Sequence, residues 1–185
     1  MGETAVSAYL TSLNQDNLAL GEIMIFSNHA YAQILNNETG EGLFEVLVDP
    51  ATDNLFPEPG PNMMWNTEFG MMAGSGMMNM MMGGMMDGSG IVNGQNSGMM
   101  GNWNTSNSAE IIVTAEDAPA IAQTYLDSAL PGATIDEHAD TFPGYYTLHI
   151  ERDGDVIGML SVNAATGDVF LHHWHGDFIE MADEQ

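Results

Sequence analysis

The stretch from Tyr145 to His175, YYTLHIERDGDVIGMLSVNAATGDVFLHHWH, decides the fold. Its three apolar and aromatic runs are YYTLHIE, VIGMLSVN and DVFLHHWH. Asp153-Gly154, a hairpin signal, separates the first two, and the turn-forming AATG separates the last two. This pattern predicts a β-meander. A two-residue turn at Asp153-Gly154 sets Ile150 opposite Ile157 and His149 opposite Gly158. Pairing Asn163 with Asp168 across AATG sets Gly158 opposite His173 as well.

Upstream of the meander the pattern turns helical. Thr114 reads as an N-cap with Asp117 three residues later. Ala118, Ile121, Ala122, Tyr125, Leu126 and Ala129 follow at helical spacing, and Pro131-Gly132 stops the run. The unit recurs. An offset of 114 residues lays Tyr31 on Tyr145, Gly40 on Gly154, Val48 on Val162, Ala51 on Ala165, Thr52 on Thr166 and Phe56 on Phe170. Apolar character also matches at Ile34 and Leu148, Leu43 and Ile157, Val46 and Leu160, and Leu55 and Val169. The first copy reads as YAQILNN, LFEVLVD and LFPE, with Pro57 expected to disturb pairing of its last strand. A shorter helix with Val6, Tyr9, Leu10 and Leu13 on one side is expected before it. The expected architecture is α+β: two units, each a helix packed on an antiparallel meander, spanning 1–60 and 109–185. A linker or insert over 61–108 joins them.

The second unit resembles a PepSY domain. IIVTAEDAPAIAQTYL is similar to that family's opening strand and helix, and RDGDVIGMLSVNAATGDVF to its strand, turn and strand ending. The likeness covers roughly Ile111 to His173, with a divergent copy over Ala5 to Phe56, where Asp53-Asn54 stand in place of Gly167-Asp168. PEPGPNMMWN and WHGDFI are similar to pieces of uncharacterised exported proteins of the PepSY type. The resemblance implies a small cystatin-like α+β fold in exported or membrane-anchored proteins, sometimes in protease propeptides that inhibit their enzyme. It implies no catalytic residues.

Composition narrows the partners. The 185 residues carry 26 acidic and one basic side chain, Arg152, for a formal charge of −25. Such a chain repels nucleic-acid phosphates and anionic lipid and attracts cations, although solubility or life in high salt explains the same surface. There is no Cys, which removes disulfides, thiolate metal sites and thiol catalysis. No apolar run is long enough to span a bilayer, and MGETAVSAYL lacks the basic and apolar regions of a signal peptide. The resemblance nevertheless points to an extracytoplasmic protein whose signal or anchor is absent from this chain.

Thirteen of the 17 methionines fall between Met63 and Met100. The segment between Pro61 and Ser108 is Met, Gly, Asn and Ser without apolar periodicity, so it reads as a linker whose methionines fill gaps, or as a ligand-bearing insert. Thioethers are soft, uncharged ligands suited to Cu(I) and Ag(I), and they need no deprotonation. The candidate ligands are Met71, Met72, Met77, Met78, Met80, Met81, Met82, Met85, Met86, Met99 and Met100, separated by Gly and Ser that let the chain wrap an ion. At about three sulfurs per ion they hold roughly four Cu(I). A sacrificial sink for oxidants is a further reading.

Histidines form a second constellation. Strand alternation puts His173 and His175 on one face of the last strand, and the expected register lines His149 up with Gly158 and His173. His149, His173 and His175 are therefore candidate ligands for Cu(II) or Zn(II), while sheet histidines in ordinary hydrogen bonds are the bland alternative. No nucleophile elbow, oxyanion-hole motif, H-E-x-x-H helix or phosphate loop is present, so a non-enzymatic role is expected. Two functions remain open: soft-metal binding by the methionine segment, and a protein-interaction or protease-inhibitory module acting on an envelope partner.

Overall fold

In the computed structural model, residues 17–70 and 110–182 are described. The first part supplies β1 (Leu18–Phe26), β2 (Ala30–Asn36), β3 (Gly42–Val48), β4 (Leu55–Pro57) and the single-turn α1 (Pro61–Met64). The second supplies α2 (Ala118–Ala129), β5 (Thr134–Ile135), β6 (Asp140–Phe142), β7 (Tyr145–Arg152), β8 (Asp155–Asn163), β9 (Val169–Leu171) and β10 (Phe178–Ala182). These strands make two antiparallel sheets. One runs β10-β1-β2-β3-β4, and the other β5-β7-β8-β9 with β6 also on β7.

The two meanders form where the turn residues predict. Asp153 and Gly154 both take positive φ, 57° and 90°, as a tight Asp-Gly hairpin requires. A bulge between Ile150 and Glu151 absorbs one residue, so Ile150 faces Gly158 and His149 faces Met159, one position from the expected pairing. Across AATG the expected register holds, with Leu160 opposite Leu171 and Asn163 N bonded to Asp168 O. The corresponding turn of the first meander carries the same bonds: Asp49 Oδ1 accepts from Ala51 N as Asn163 Oδ1 accepts from Ala165 N. Asp53 (φ 55°) occupies the left-handed position that Gly167 (φ 74°) fills in the second. Pro57 is accommodated on the edge strand β4, opposite Val46.

Helix α2 begins after a turn in which Thr114 Oγ1 donates to Asp117 Oδ2 and accepts from Asp117 N. Its buried residues Ala118, Ala122 and Leu126 recur every four positions and meet Tyr146, Leu148, Ile150, Leu160 and Val162 of the second sheet. Gly132, at φ 85°, follows its end.

The expectation of an α+β chain built from two helix-on-meander units is overturned. The fold is mostly β, two antiparallel sheets with two helices, and among the described residues only α2 packs on a meander. The physical reason is visible in the burial of β7, whose first six residues are buried on both faces. Tyr146, Leu148 and Ile150 face α2, whereas Tyr145, Thr147 and His149 face the first sheet and bond to it. Strands outside the meanders complete that first sheet. β1 pairs with β2, and β10, from the C-terminal end of the second part, pairs with β1. The expected helix at Val6 to Leu13 lies outside the described residues.

Packed structure also continues past Gly60. Asn62 accepts from Glu45 N and donates to Glu45 O and Glu58 O, and Asn66 Nδ2 donates to Leu43 O. Among the described residues no helix is long and apolar enough to cross a membrane.

Candidate functional site

The layer between the sheets is unusually polar. Met24, Phe26, Tyr31 and Met159 form its apolar part. Beside them Glu45, wholly buried, accepts from Tyr31 OH (2.6 Å) and Thr147 Oγ1 (3.0 Å) on Oε1 and from Tyr145 OH (2.6 Å) on Oε2. Burial, then the nearby charge of Glu58, push the Glu45 carboxyl well above the usual carboxylate range, against the opposing pull of its tyrosine donors.

Next to this hub three ligand-type side chains converge. Glu58 follows the edge strand β4 and is fixed by its N–H on Glu45 O. His172 and His175 lie just past β9, where the chain leaves the sheet and is clasped by the β1-β2 turn. Asn28 Nδ2 donates to Trp174 O, Gly176 N to Asn28 Oδ1 and Asp177 N to Ser27 Oγ. A Cβ on Gly176 would run into Ser27 Oγ, so this close approach requires glycine. The clasp turns His172 and His175 onto the same carboxylate, with side chains 0% and 2% exposed against 0% for Glu58.

His172 Nδ1 lies 3.3 Å and His175 Nε2 3.0 Å from Glu58 Oε1, close but not aligned as hydrogen bonds. Those two nitrogens and Glu58 Oε2 are the buried side-chain atoms left without a hydrogen-bond partner among the described residues. One ligand atom from each of the three side chains lies within 4.8 Å of the others. The other ring nitrogens are held: His172 Nε2 is 2.9 Å from Ser161 Oγ, and His175 Nδ1 is 2.7 Å from His29 Nε2. Trp174 stacks on His172 and donates Nε1–H to Glu58 Oε1 (3.2 Å), while Phe26 stacks on His175.

The electrostatics favour an ionised Glu58 carboxylate. Burial raises Glu58, but the charge of His172 and the close approach of His172 and His175 outweigh it and hold the carboxyl at about 2. Burial lowers His175, with Glu58 opposing. Burial and then His175 lower His29 to about 4. Without a positive charge beside it, a carboxylate buried this deeply costs several kcal/mol.

Ser161, His172 and Glu58 also stand in the order of a nucleophile, base and acid relay. Ser161 Oγ, however, is wholly buried mid-strand, 3.1 Å from Thr147 Oγ1, which leaves a substrate no approach to it.

The sequence-derived ligands separate. His175 belongs to the buried cluster. His149 pairs with Glu22 at 2.9 Å, and His173 is exposed with Nδ1 3.1 Å from Leu171 O. No cluster of metal-ligating side chains among the described residues holds two of the three. The cause is that β9 ends at Leu171 and the ladder makes its last bond from His172 N to Met159 O, so strand alternation no longer sets the direction of residues 173 to 175. Met71, Met72, Met77, Met78, Met80, Met81, Met82, Met85, Met86, Met99 and Met100 lie outside the described residues. Glu58 and His172 were missed, although the 114-residue offset lays one on the other. No known protein family, curated protein sequence or solved structure matches the chain.

Proposed function

We propose that the protein is a non-enzymatic binder of a borderline transition-metal ion, Cu(II) or Zn(II), held by Glu58, His172 and His175. The observation that carries this reading is the convergence of three buried ligand-type side chains, in which His172 Nδ1, His175 Nε2 and Glu58 Oε2 make no hydrogen bond. Two imidazoles and one carboxylate suit these ions, and an ion's positive charge offsets the buried carboxylate. Ser161 and His29 hold the outer nitrogens and so orient the rings with His172 Nδ1 and His175 Nε2 toward Glu58. Competition titration with a coloured Zn(II) chelator tests the assignment on wild type, Glu58→Gln and His172→Ala. The high-affinity site should disappear in both variants. Unchanged affinity in both variants removes the site.

Soft-metal binding is a second reading, favoured by the clustering of 13 methionines between Met63 and Met100. The segment would take Cu(I) or Ag(I) in an extracytoplasmic, oxidising setting where Cys is easily lost. Replacing Met71, Met72, Met77, Met78, Met80, Met81 and Met82 by Leu should weaken Cu(I) binding. It should leave Zn(II) binding at Glu58 intact. Equal Cu(I) affinity before and after makes the segment a linker.

A further inference from the structure

A second set of ligand-type side chains meets outside the buried centre, and the fold alone brings it together. Glu22 comes from β1 of the first sheet, Asp140 from β6 and His149 from β7 of the second. One donor atom of each lies within 4.8 Å of the other two. β1 is bulged between Leu20 and Ile23, so Gly21 and Glu22 fall out of the regular ladder. A Cβ on Gly21 would lie 2.8 Å from Leu35 Cγ, which makes the bulge a glycine-dependent feature. Glu22 Oε1 comes within 2.9 Å of His149 Nε2. Asp140 is anchored through Oδ2 by Gln33 Nε2 at 2.8 Å, and its Oδ1 is 3.3 Å from Nε2 of the exposed His138.

We propose that Glu22, Asp140 and His149 form a second divalent-cation site, partly exposed, that ties the two sheets together and takes Zn(II) or Mn(II). Charge balance supports it. The chain has one Lys or Arg, Arg152, and it is exposed beside the β7-β8 turn, opposite Asp155. The two carboxylates, 22% and 21% exposed, are therefore left to imidazole for compensation. An imidazolium at His149 leaves one negative charge over, whereas a divalent ion on neutral imidazole balances both carboxylates. One nitrogen and two carboxylate oxygens form a harder set than that of the buried centre, and partial exposure leaves room for water or the exposed His138 to complete the shell. Burial lowers His149, but Glu22 and then Asp140 and Asp136 raise it, so proton and metal compete for the same Nε2.

The test is Zn(II) binding to the full chain, comparing wild type with the near-isosteric pair Glu22→Gln and Asp140→Asn, and separately with Glu58→Gln. The proposal expects the double variant to lose one bound Zn(II) per chain and part of the Zn(II)-dependent rise in Tm. Glu58→Gln should keep that ion, so the two sites fail independently. Zn(II) added to wild type should also shift the ¹⁵N resonance of His149 Nε2 to that of a metal-bound imidazole, a readout that needs no variant. Unchanged stoichiometry in the folded double variant, or a His149 resonance that ignores saturating Zn(II), would overturn the second site and leave a simple imidazolium bridge between two carboxylates.

Discussion

Replacing Glu45 with glutamine removes a titrating group from the inter-sheet layer while keeping its size. In the native protein, burial and the Glu58 charge hold the Glu45 carboxyl well above its ordinary value of 4.5, so folded Glu45 keeps a proton that the unfolded chain releases. A carboxyl raised in the folded state makes the folded form bind more protons, and stability falls as pH rises above 4.5. One proton corresponds to about 1.4 kcal/mol per pH unit across the range in which folded Glu45 stays protonated. The glutamine side chain brings no such slope, and the Tyr31 and Tyr145 hydroxyls can still bond its amide. The assay is urea unfolding of both proteins at pH 5 and pH 6, with chelator present so that metal linkage does not enter. Relative to wild type, Glu45→Gln should gain about 1.2 kcal/mol over that unit, since the unfolded chain is still partly protonated at pH 5, whatever its offset there. Parallel curves would refute the reasoning, because they mean that Glu45 is already ionised in the folded protein.

Ser161→Ala removes the partner of His172 Nε2 and should weaken Zn(II) binding by roughly 10- to 100-fold, read by chelator competition. Asp53→Gly puts glycine at the left-handed position that Gly167 holds in the matching turn, and should raise stability by up to about 1 kcal/mol in urea unfolding. His29 titrates near 4 when folded and near 6.5 when unfolded, so the unfolded chain takes up the extra proton as pH falls through that window. Relative to His29→Gln, metal-free wild type should lose about 1 to 2 kcal/mol between pH 6.5 and 4, after allowance for the partial exposure of His29. The difference between the two proteins in pH-dependent urea unfolding isolates this contribution from that of Glu45.

The local elements were legible because their signals are local. Asp153-Gly154, AATG, the Thr114-Asp117 pair and the Ala118-Ala122-Leu126 stripe each specify backbone through neighbours in sequence. The stacking of the sheets was not. Its mark was the double burial of YYTLHI, in which Tyr145, Thr147 and His149 alternate with Tyr146, Leu148 and Ile150, but polar atoms on the second face read equally as a solvated side. Glu58, Thr147 and Ser161 become intelligible only when the first sheet covers them. Of the proposed centre, His175 alone was among the candidate ligands. The periodicity used to choose its partners stops near Leu171, and Glu58 lies more than 100 residues away in sequence from both histidines. The offset that pairs Glu58 with His172 was available, yet offsets reveal common position within each copy and not contact between copies.

The most direct measurement is X-ray absorption at the zinc or copper edge on protein loaded with one metal ion, paired with the same spectrum for Glu58→Gln. The proposed centre predicts a first shell of nitrogen and oxygen near 2.0 to 2.2 Å, with outer-shell scattering from two imidazoles, and loss of that spectrum in the variant. A sulfur shell near 2.3 Å, or a spectrum without imidazole scattering that Glu58→Gln leaves unchanged, would contradict it.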